Sequence, residues 1–197
     1  AATLAMRVVA RTAEVMQADQ LVDITGAHID SCIYNGQASV DFAQRLADGG
    51  AQVSVPATLN VSSLDLVHPE LFRGDAHTAA QGRLLMELYE GMGCRPTFTC
   101  APYQEDNRPG PGEHVVWAES NAIVFANSVL GARTHRYGDF LDISAAITGR
   151  APLAGLHLDV NRRATVVFDV SAVPERLLDL EVAYPLLGHH IGKRVGK

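Results

Sequence analysis

The sequence predicts an α/β fold in which helices alternate with the strands of a partly parallel sheet. Two observations lead to this prediction: short runs of apolar and β-branched residues recur along the chain, and segments with helical spacing of apolar residues separate them. Strands separated by helices of about ten to fifteen residues are typical of parallel β–α–β units. Ligands of such sheets bind beyond the carboxyl ends of the strands, so we expect a site in the loops after residues 24, 55 and 100.

The first half of the chain contains two predicted helices and two predicted strands. Residues 3–18 have apolar side chains at helical spacing, and residues 21–24 form a short β-like run. Residues 39–47 again have helical spacing, and the Asp-Gly-Gly sequence that follows is a typical helix stop. Residues 52–55 alternate between polar and apolar and end at a proline, which predicts a second strand.

The second half continues the alternation of helices and strands. Residues 105–112, with the sequence EDNRPGPG, are predicted to form a loop because proline and glycine dominate them. The other elements are predicted from spacing and from β-branched content: strands at 97–100 and 164–170, and helices at 78–92, 118–130, 139–147 and 185–195.

The composition excludes several classes of protein. With 197 residues, 47% of them apolar and 19% charged, the chain is long enough for a hydrophobic core and too apolar to be disordered. Sixteen basic residues against 22 acidic ones give a net charge of -6, which argues against a nucleic-acid partner. No uncharged apolar run reaches the roughly 18 residues of a membrane span, so we expect a soluble chain without a membrane partner. An odd number of cysteines predicts reduced thiols and a cytoplasmic protein.

One candidate site segment follows the first predicted strand. His28, Asp30 and Cys32 project from the short run TGAHIDSC, whose small residues allow close approach of the backbone. These side chains suit a ligand-binding or acid–base loop. A turn with a capping aspartate and a buried cysteine explains the same pattern without a function, and both interpretations stay open at this point.

Two further candidates stand where predicted strands end. A helix cap at Ser62 or Ser63 explains the polar residues around Asn60 but leaves Asn60 itself unexplained. Cys100 ends its predicted strand because a proline two residues later cannot extend a ladder. Five residues separate it from Cys94, which excludes a C-x-x-C zinc or redox pair. Cys100 is therefore either a ligand to a substrate or metal, or a core residue.

The predicted helix before Arg133 has an unusual edge of polar side chains. Ser120 and Asn127 are seven residues apart, as are Asn121 and Ser128, so all four share one edge of the helix. If these side chains are buried, they need hydrogen-bond partners, which either a ligand or a neighbouring helix would supply. Arg133 suits a bidentate clamp on a carboxylate or, alternatively, a surface ion pair. The other histidines lack metal-ligand spacing and are expected to be surface or capping residues: His68, His77, His114, His135, His157, His189 and His190.

Four segments taken together resemble the aconitase X family. They are GAHIDSC at 26–32, PATLN at 56–60, GCRPTFTCAPY at 93–103 and WAESNAIVFANSVLGART at 117–134, the last being the most specific. The resemblance runs from the first helix to Gly188. It implies that residues 1–197 form part of the large catalytic domain of the family, an aconitase-like α/β unit. The rest of that domain and a small swivelling domain would lie outside this sequence.

The resemblance implies a hydro-lyase, an enzyme that removes water from a small hydroxy acid. Several members of the family use an iron–sulfur cluster, of the 2Fe-2S or 4Fe-4S type, as a Lewis acid. The two activities of the family imply cis-3-hydroxy-L-proline or mevalonate 5-phosphate as the substrate. The loop at 28–32 is similar to the bacterial form that acts on hydroxyproline, so we expect that substrate and keep the phosphate ester as the alternative.

The resemblance and the positions at strand ends together give the expected site residues. Cys100, in the sequence TCAPY, matches the cluster-ligand motif of the family, while Cys32 is a weaker candidate and Cys94 weaker still. The expected catalytic residues are His28, Asp30 and Ser120, and the expected substrate-binding residues are Asn60, Asn121, Arg133 and Thr134. The other cluster ligands and the proton-abstracting base are expected in the missing part of the family's structure.

Two other classes of function stay open. The chain would be a non-catalytic subunit or fragment if it only completes a site on another chain, such as the missing carboxyl-terminal half or the swivelling domain. A thiol-nucleophile enzyme that pairs Cys100 with His28 would work without a metal and would be inactivated by alkylation. A fragment of a larger domain is also expected to expose apolar surface and to self-associate.

Overall fold

The computed structural model describes residues 1–195 and contains two compact units, Ala1–Asn161 and a second unit that begins at Arg162. The last two residues of the predicted domain 1–197 lie outside the described residues. In the first unit helices and strands alternate, and three of the strands are parallel. The predicted α/β class is therefore confirmed.

The α-helices and β-strands of the first unit begin with a helix and end with a strand. They are α1 (Ala2–Val15), β1 (Leu21–Asp23), β2 (Ala27–Ile29), α2 (Gln37–Asp48), β3 (Ala57–Leu59), α3 (Ala76–Gly91), β4 (Val116–Trp117), α4 (Ser120–Ser128), α5 (Leu141–Thr148) and β5 (Arg150–Pro152). Each of these helices overlaps the segment whose apolar spacing predicts it. None of the helices among residues 1–195 has the length and apolar character needed to cross a membrane.

The parallel sheet has three strands in the order β3-β2-β4, with β2 in the centre. His28 on β2 pairs with Thr58 on β3 and with Trp117 on β4. β1 and β5 form a separate antiparallel pair. Because the three parallel strands run in the same direction, their carboxyl ends meet at one edge of the sheet.

The main hydrophobic core contains Ala27 and Ile29 of β2 together with residues of α1, α2, α3 and α5. Successive residues of a strand point to opposite faces, so His28 points away from this core. Seven of the eight residues of α5 are buried, which makes it the central helix under the sheet. α5 ends at Gly149, whose φ of 66° is a left-handed conformation that glycine adopts without strain.

Two predicted strands of the first unit are wrong. Residues 52–55 are irregular because their amides donate to carbonyls at the end of α3 and in α5 and not to a strand. Residues 97–100 are irregular because Phe98 has a φ of 44°, which interrupts an extended backbone. Just before this segment, Arg95 forms an isolated parallel bridge with Thr58.

The prediction of a loop at β2 is also wrong. Its three residues, Ala-His-Ile, are too few for alternation or β-branched content to mark a strand. Hydrogen bonds to both neighbouring strands form it: Asn60 N donates to Ile29 O at 2.9 Å on one side, and Val116 N donates to Gly26 O at 3.0 Å on the other. A strand this short is defined by its neighbours and not by its own sequence pattern.

The connection between β3 and α3 does not begin a helix at Ser62 or Ser63, so that proposed cap is wrong. α3 is capped instead by Asp75, whose carboxylate accepts a hydrogen bond from Thr78 N at 2.8 Å. The polar residues after Asn60 are therefore loop residues, and Asn60 stays available to the edge of the sheet.

The second unit contains α6 (Glu175–Leu178) and α7 (Ala183–Val195). α7 includes the predicted helix at 185–195. The predicted strand at 164–170 is wrong, since this segment is irregular and its Val166 and Val167 are 52% and 84% exposed. β-branched residues stabilise a strand only where a neighbouring strand or a buried face receives them.

Candidate active site

Polar side chains from three strands meet at the carboxyl edge of the parallel sheet. Asp30 directly follows β2, Asn60 directly follows β3, and Glu119 stands two residues after β4. The hydrogen bond from Asn60 N to Ile29 O, 2.9 Å long, continues the ladder past the strands and aligns their ends. The parallel strands therefore end after residues 29, 59 and 117. Of the predicted strand ends at 24, 55 and 100, only the first corresponds to a strand, β1, and it lies in the antiparallel pair. We call Asp30, Asn60 and Glu119 the carboxylate site.

Asn60 bridges the two acidic groups of the carboxylate site. Its side chain is fully buried, and its Nδ2 donates hydrogen bonds to Asp30 Oδ1 and, at 2.7 Å, to Glu119 Oε2. Its Oδ1 accepts a hydrogen bond from Val61 N at 2.8 Å. Since that oxygen must face a backbone donor, the NH2 group must face the carboxylates, and the orientation of the amide is fixed.

The two carboxyl groups of the site have pKa values shifted in opposite directions. Burial raises the pKa of Asp30; the hydrogen bond from Asn60 opposes this rise, and the negative charge of Glu119 adds to it. Burial alone would also raise the pKa of Glu119, but hydrogen bonds from Asn60 and Ser120 outweigh it and lower that pKa. Burial thus dominates the pKa of Asp30, and hydrogen bonds dominate the pKa of Glu119.

Cys100 stands beside the carboxylate site and is held there by α4. Asn121 Nδ2 donates to Cys100 O and to the Tyr103 hydroxyl, both at 3.1 Å. The ring of Tyr103 stacks on Phe125 of α4 with a centroid distance of 4.0 Å. The thiol is half-buried, and its burial and the negative charge of Glu119 raise its pKa. The segment thus presents one accessible thiol next to two carboxyl groups.

His28 contributes a neutral imidazole close to this edge. Its ring is fully buried, Nδ1 lies 2.7 Å from Thr58 Oγ1, and the edge of the ring meets Trp117. Burial lowers the pKa of His28 to about 4, although the charge of Glu119 and the carbonyl of Thr99 oppose this shift. Nε2 makes no hydrogen bond of normal geometry among the described residues. The ring is therefore uncharged at neutral pH and bonds to Thr58, not to the thiol of Cys100.

The other two cysteines lie in the hydrophobic core. Cys32 is fully buried and its Sγ contacts Ile29 O and Asn60 O at 3.4 Å. Burial raises the pKa of Cys32 and raises that of Cys94 to about 12, which disfavours a thiolate at either position. The interpretation of Cys32 as a buried turn residue agrees with this placement.

The polar edge of α4 divides into two parts. Ser120, Asn121 and Ser128 are exposed, and only Asn127 is partly buried, so these side chains do not form one buried polar strip. Ser120 Oγ donates to Glu119 Oε1 at 3.1 Å and so belongs to the carboxylate site. Asn127 instead bonds to the backbone, where its Nδ2 donates to Ile123 O at 2.8 Å.

Arg133 and Thr134, both expected to bind substrate, contact other parts of the chain. Arg133 Nη1 donates to His157 O at 2.8 Å, and Nη2 pairs with the Asp159 carboxylate. Thr134 is fully buried, and its Oγ1 accepts a hydrogen bond from Trp117 N at 3.1 Å. The structure brings neither residue into hydrogen-bond contact with Asp30, Asn60 or Glu119. Their role in substrate binding stays a prediction.

Glu119 is the functional residue that the sequence reasoning missed. It was assigned to the interior of a predicted helix, because β4 has only two residues and gives no strand pattern. In the structure Glu119 is the residue before α4, in extended conformation. An acidic residue immediately before an uncharged polar helix is the available signal, and it fits an N-terminal cap as well as an active site.

The chain is similar to known proteins along nearly its whole length. Residues 1–160 match the family model described as the aconitase X first domain. A cis-3-hydroxy-L-proline dehydratase from Pseudomonas aeruginosa is 51% identical over 98% of the chain, and one from Hypocrea jecorina is 45% identical over 100% of it. A phosphomevalonate dehydratase large subunit from Thermococcus kodakarensis is 39% identical over 98% of the chain.

One solved structure has the same fold. The crystal structure of Thermococcus kodakaraensis aconitase X in its holo-form matches with a TM-score of 0.85 and 38% identity, over 98% of this chain and 47% of that one. The chain spans 33% of the length of the two hydroxyproline dehydratases and 47% of the phosphomevalonate dehydratase large subunit. The similarity thus covers almost all of this chain and a third to a half of each relative.

Proposed function

This chain belongs to the aconitase X family, and on that premise we propose that it provides the first part of a hydro-lyase acting on cis-3-hydroxy-L-proline. The proteins that are 51% and 45% identical to it carry the name cis-3-hydroxy-L-proline dehydratase, which supports this substrate. The chain spans 33% of their length, so the complete active site would include residues beyond these.

The proposed reaction removes one molecule of water from the substrate. A base takes the proton from the carbon next to the carboxylate, and the electron pair forms a carbon–carbon double bond. The hydroxyl on the neighbouring carbon leaves with a proton, as water. From hydroxyproline this yields a cyclic enamine, which tautomerises to a cyclic imine. The step needs a group that protonates the hydroxyl, because hydroxide is a poor leaving group.

The carboxylate site is the observation that carries the proposal. We assign Asp30, whose pKa is raised, as the group that protonates the leaving hydroxyl. Glu119, whose pKa is lowered, is assigned as a proton acceptor in the same site. Two carboxyl groups in different environments commonly divide the roles of acid and base between them. Asn60 keeps them in a fixed relation by donating to both.

The residues around the carboxylate site have orienting roles in this proposal. Ser120 orients the carboxylate of Glu119 through its hydrogen bond. Asn121 holds the backbone of Cys100 in place. His28 contributes a neutral hydrogen-bonding ring and not a proton donor at neutral pH, since its pKa is about 4.

Cys100 is proposed as one ligand of an iron–sulfur cluster. Such clusters are held mainly by several thiolates. Within residues 1–195 no three His, Cys, Asp or Glu side chains are grouped so as to hold a metal ion, and Cys32 and Cys94 are buried. The described residues therefore fit one corner of a cluster, and the remaining ligands would come from the rest of the protein. When bound, an iron with an open coordination position acts as a Lewis acid on a hydroxyl.

Mevalonate 5-phosphate is the alternative substrate. Phosphomevalonate dehydratase large subunits from Thermococcus kodakarensis and Methanothermobacter thermautotrophicus are 39% and 36% identical to the chain. The name large subunit favours, for this alternative, a second chain as a partner. A phosphate group would need a cation such as Arg133, but its guanidinium is bonded to His157 and Asp159. Arg133 would therefore have to leave these contacts to bind a phosphate.

Turnover by the full-length enzyme, prepared without oxygen, tests the proposal. We expect imine formation from cis-3-hydroxy-L-proline, no turnover of mevalonate 5-phosphate, and loss of both activity and iron absorbance in C100S. C94A, which removes a buried thiol, is the control. Activity on the phosphate alone would favour the alternative substrate, and full activity of C100S would reject Cys100 as a ligand. If the enzyme converts neither acid, the proposed function is rejected.

Metal analysis and one substitution of an acidic residue distinguish the proposed enzyme from a non-catalytic subunit. Iron and sulfide are measured in this chain and in the complete enzyme, and we expect both elements in the complete enzyme. E119Q is expected to lower kcat by about 100-fold or more, the usual effect of removing a proton-transfer group. E87Q, at an exposed position on α3, is the matched control. Equal kcat values in the two variants would contradict the role of Glu119.

A further inference from the structure

A buried carboxylate under the sheet, Asp142, contacts the turn that carries Asp30. Asp142 lies in the first turn of α5, is 0% exposed and is the one ionisable side chain of that helix. Negative charge in the first turn of a helix interacts favourably with the helix dipole. A carboxylate in an apolar core is nevertheless unfavourable unless hydrogen bonds surround it, so its contacts indicate its purpose.

The carboxylate of Asp142 accepts hydrogen bonds from two successive backbone amides of the turn. Its Oδ2 accepts from Asp30 N at 2.8 Å and from Ser31 N at 2.9 Å. Its Oδ1 accepts from Ser31 Oγ at 2.8 Å and from Ile143 N at 2.7 Å. Because the Ser31 hydroxyl donates to Asp142, the Tyr89 hydroxyl 2.8 Å away is the donor to Ser31. The turn is thereby tied to both α5 and α3.

This anchoring point lies on one side of Asp30, and the carboxylate site lies on the other. The backbone amide of Asp30 is bonded to Asp142, and its side chain is bonded to the amide of Asn60, which also donates to Glu119. A shift of the turn would move the carboxyl group of Asp30 relative to Asn60, since both bonds belong to one residue. Replacing a buried charged group by a hydrophobic residue often leaves the free energy of unfolding unchanged. A contribution to stability is therefore not enough to explain an aspartate at position 142.

We propose that Asp142 is a positioning residue: it holds the backbone of Asp30 and Ser31 so that the Asp30 carboxyl group meets Asn60 and faces Glu119. The kinetic part of this proposal rests on the proposed function, in which Asp30 protonates the leaving group. The raised pKa of Asp142, to about 6 through burial, agrees with a carboxylate kept in the core for its geometry.

The side-chain amide protons of Asn60 report on this positioning without any turnover. In the wild type they are buried and donated to two carboxylates, so they exchange slowly with solvent. D142N replaces an acceptor oxygen by an NH2 group, which leaves a backbone amide of the turn without its acceptor. We expect the exchange rate of the Asn60 protons, measured by NMR on the 197-residue chain, to rise about tenfold or more in D142N.

Two further variants keep this measurement interpretable. S144A removes a buried hydroxyl from the same helix, one that has no hydrogen-bond partner among the described residues, and is expected to leave the exchange rate unchanged. S31A removes only the hydroxyl contact and keeps both backbone bonds to Asp142. It is expected to give a smaller increase than D142N, and it decides the question if D142N does not fold.

Kinetics of the full-length enzyme separate positioning from a general structural role. We expect D142N to lower kcat by about 100-fold while KM stays within about threefold, as for a misplaced catalytic group. In a D30N background, D142N is expected to have no further effect on kcat, because Asp142 acts through Asp30. A structural residue would lower kcat equally in both backgrounds, and that result would overturn the proposal.

If the exchange rate of the Asn60 side-chain amide protons is unchanged in both D142N and S31A, the proposal is also overturned. If the wild-type enzyme dehydrates neither acid, the proposed function fails and the kinetic comparison falls with it. The exchange rates of the Asn60 protons then decide by themselves whether Asp142 positions the carboxylate site.

Discussion

Two of the clusters of polar side chains among residues 1–195 are built in opposite ways. In the carboxylate site one amide stands between two acidic groups, and the nearby Nε2 of His28 makes no hydrogen bond of normal geometry to the described residues. The second, which we call the histidine cluster, consists of His114, Tyr137 and His157, with Arg133 beside them. There His157 Nδ1 lies 2.8 Å from His114 Nδ1, and its Nε2 lies 2.5 Å from the Tyr137 hydroxyl.

This difference separates a site suited to chemistry from a site suited to support. In the histidine cluster both ring nitrogens of His157 and its backbone carbonyl are bonded to other groups of the chain. In the carboxylate site two acidic groups lie close together, and their pKa values are shifted in opposite directions. Such unfavourable proximity is typical of functional sites, whereas complementary bonding is typical of structural ones. The predictions below test this contrast.

Replacing the amide of Asn60 by a carboxylate is expected to have the largest effect. N60D places a third acidic group between Asp30 and Glu119 and removes the donor that both use. We expect the free energy of unfolding at pH 7 to fall by about 4 kcal/mol, and by less at pH 4, where the carboxyl groups take up protons. Urea denaturation at the two pH values measures both. N107D, at an exposed position, is the control, and equal losses in the two variants would contradict the bridging role.

His28 is expected to make stability depend on pH. Burial lowers its pKa from 6.5 to about 4 on folding, so the unfolded chain takes up the proton first as the pH falls. The neutral ring therefore contributes fully to the free energy of unfolding above pH 6.5. This contribution falls by about 3 kcal/mol as the pH is lowered to 4. Asp142 has the opposite effect, because its pKa is raised to about 6 and its protonation below that pH favours the folded chain.

The test of His28 is therefore a difference between two proteins and not the wild-type curve alone. The free energy of unfolding of the wild type minus that of H28Q is expected to fall by about 3 kcal/mol from pH 7 to pH 4. H68Q, at an exposed histidine, controls for the loss of an imidazole. A wild-type to H28Q difference that stays constant over this range would contradict a buried neutral ring.

Arg133 is expected to affect stability and not substrate binding. Its side chain is 21% exposed and donates to His157 O, so R133M should lower the free energy of unfolding by about 2 kcal/mol and leave KM within about threefold. D159N should cost less than about 0.5 kcal/mol, because the Asp159 side chain is 83% exposed and its ion pair is screened by solvent. Denaturation and steady-state kinetics measure the two effects. A tenfold rise in KM with unchanged stability would instead support the predicted role of Arg133 as a substrate clamp.

The smallest effect is expected at Ser120. Its hydroxyl is exposed and only orients Glu119, so S120A should cost about 0.5 kcal/mol of stability and change kcat/KM by less than about threefold. S128A, at the other exposed serine of α4, is the control. A loss of kcat/KM by about 100-fold in S120A alone would make Ser120 a catalytic residue, as the sequence suggested.

The sequence by itself determined the helices and the family of this protein. Apolar spacing and stop residues are local signals, so α1, α2 and α3 lie where that spacing predicts them. The four quoted segments predicted the aconitase X family, which the match of residues 1–160 confirms. Asp30 and Asn60 were also recognised as candidates, because small polar residues stand out after apolar runs.

Only the tertiary structure decided which strands pair and which charges meet. β2 and β4 have three and two residues, and the strands that define them lie about thirty to ninety residues away in the chain, so no local pattern marks them. For the same reason Glu119 was missed. His157 was expected at the surface but is buried. Its ring bonds to Tyr137 and His114, which are distant from it in the sequence. Hydrogen bonds and electrostatic shifts act through space, and their partners are known only once the chain is folded.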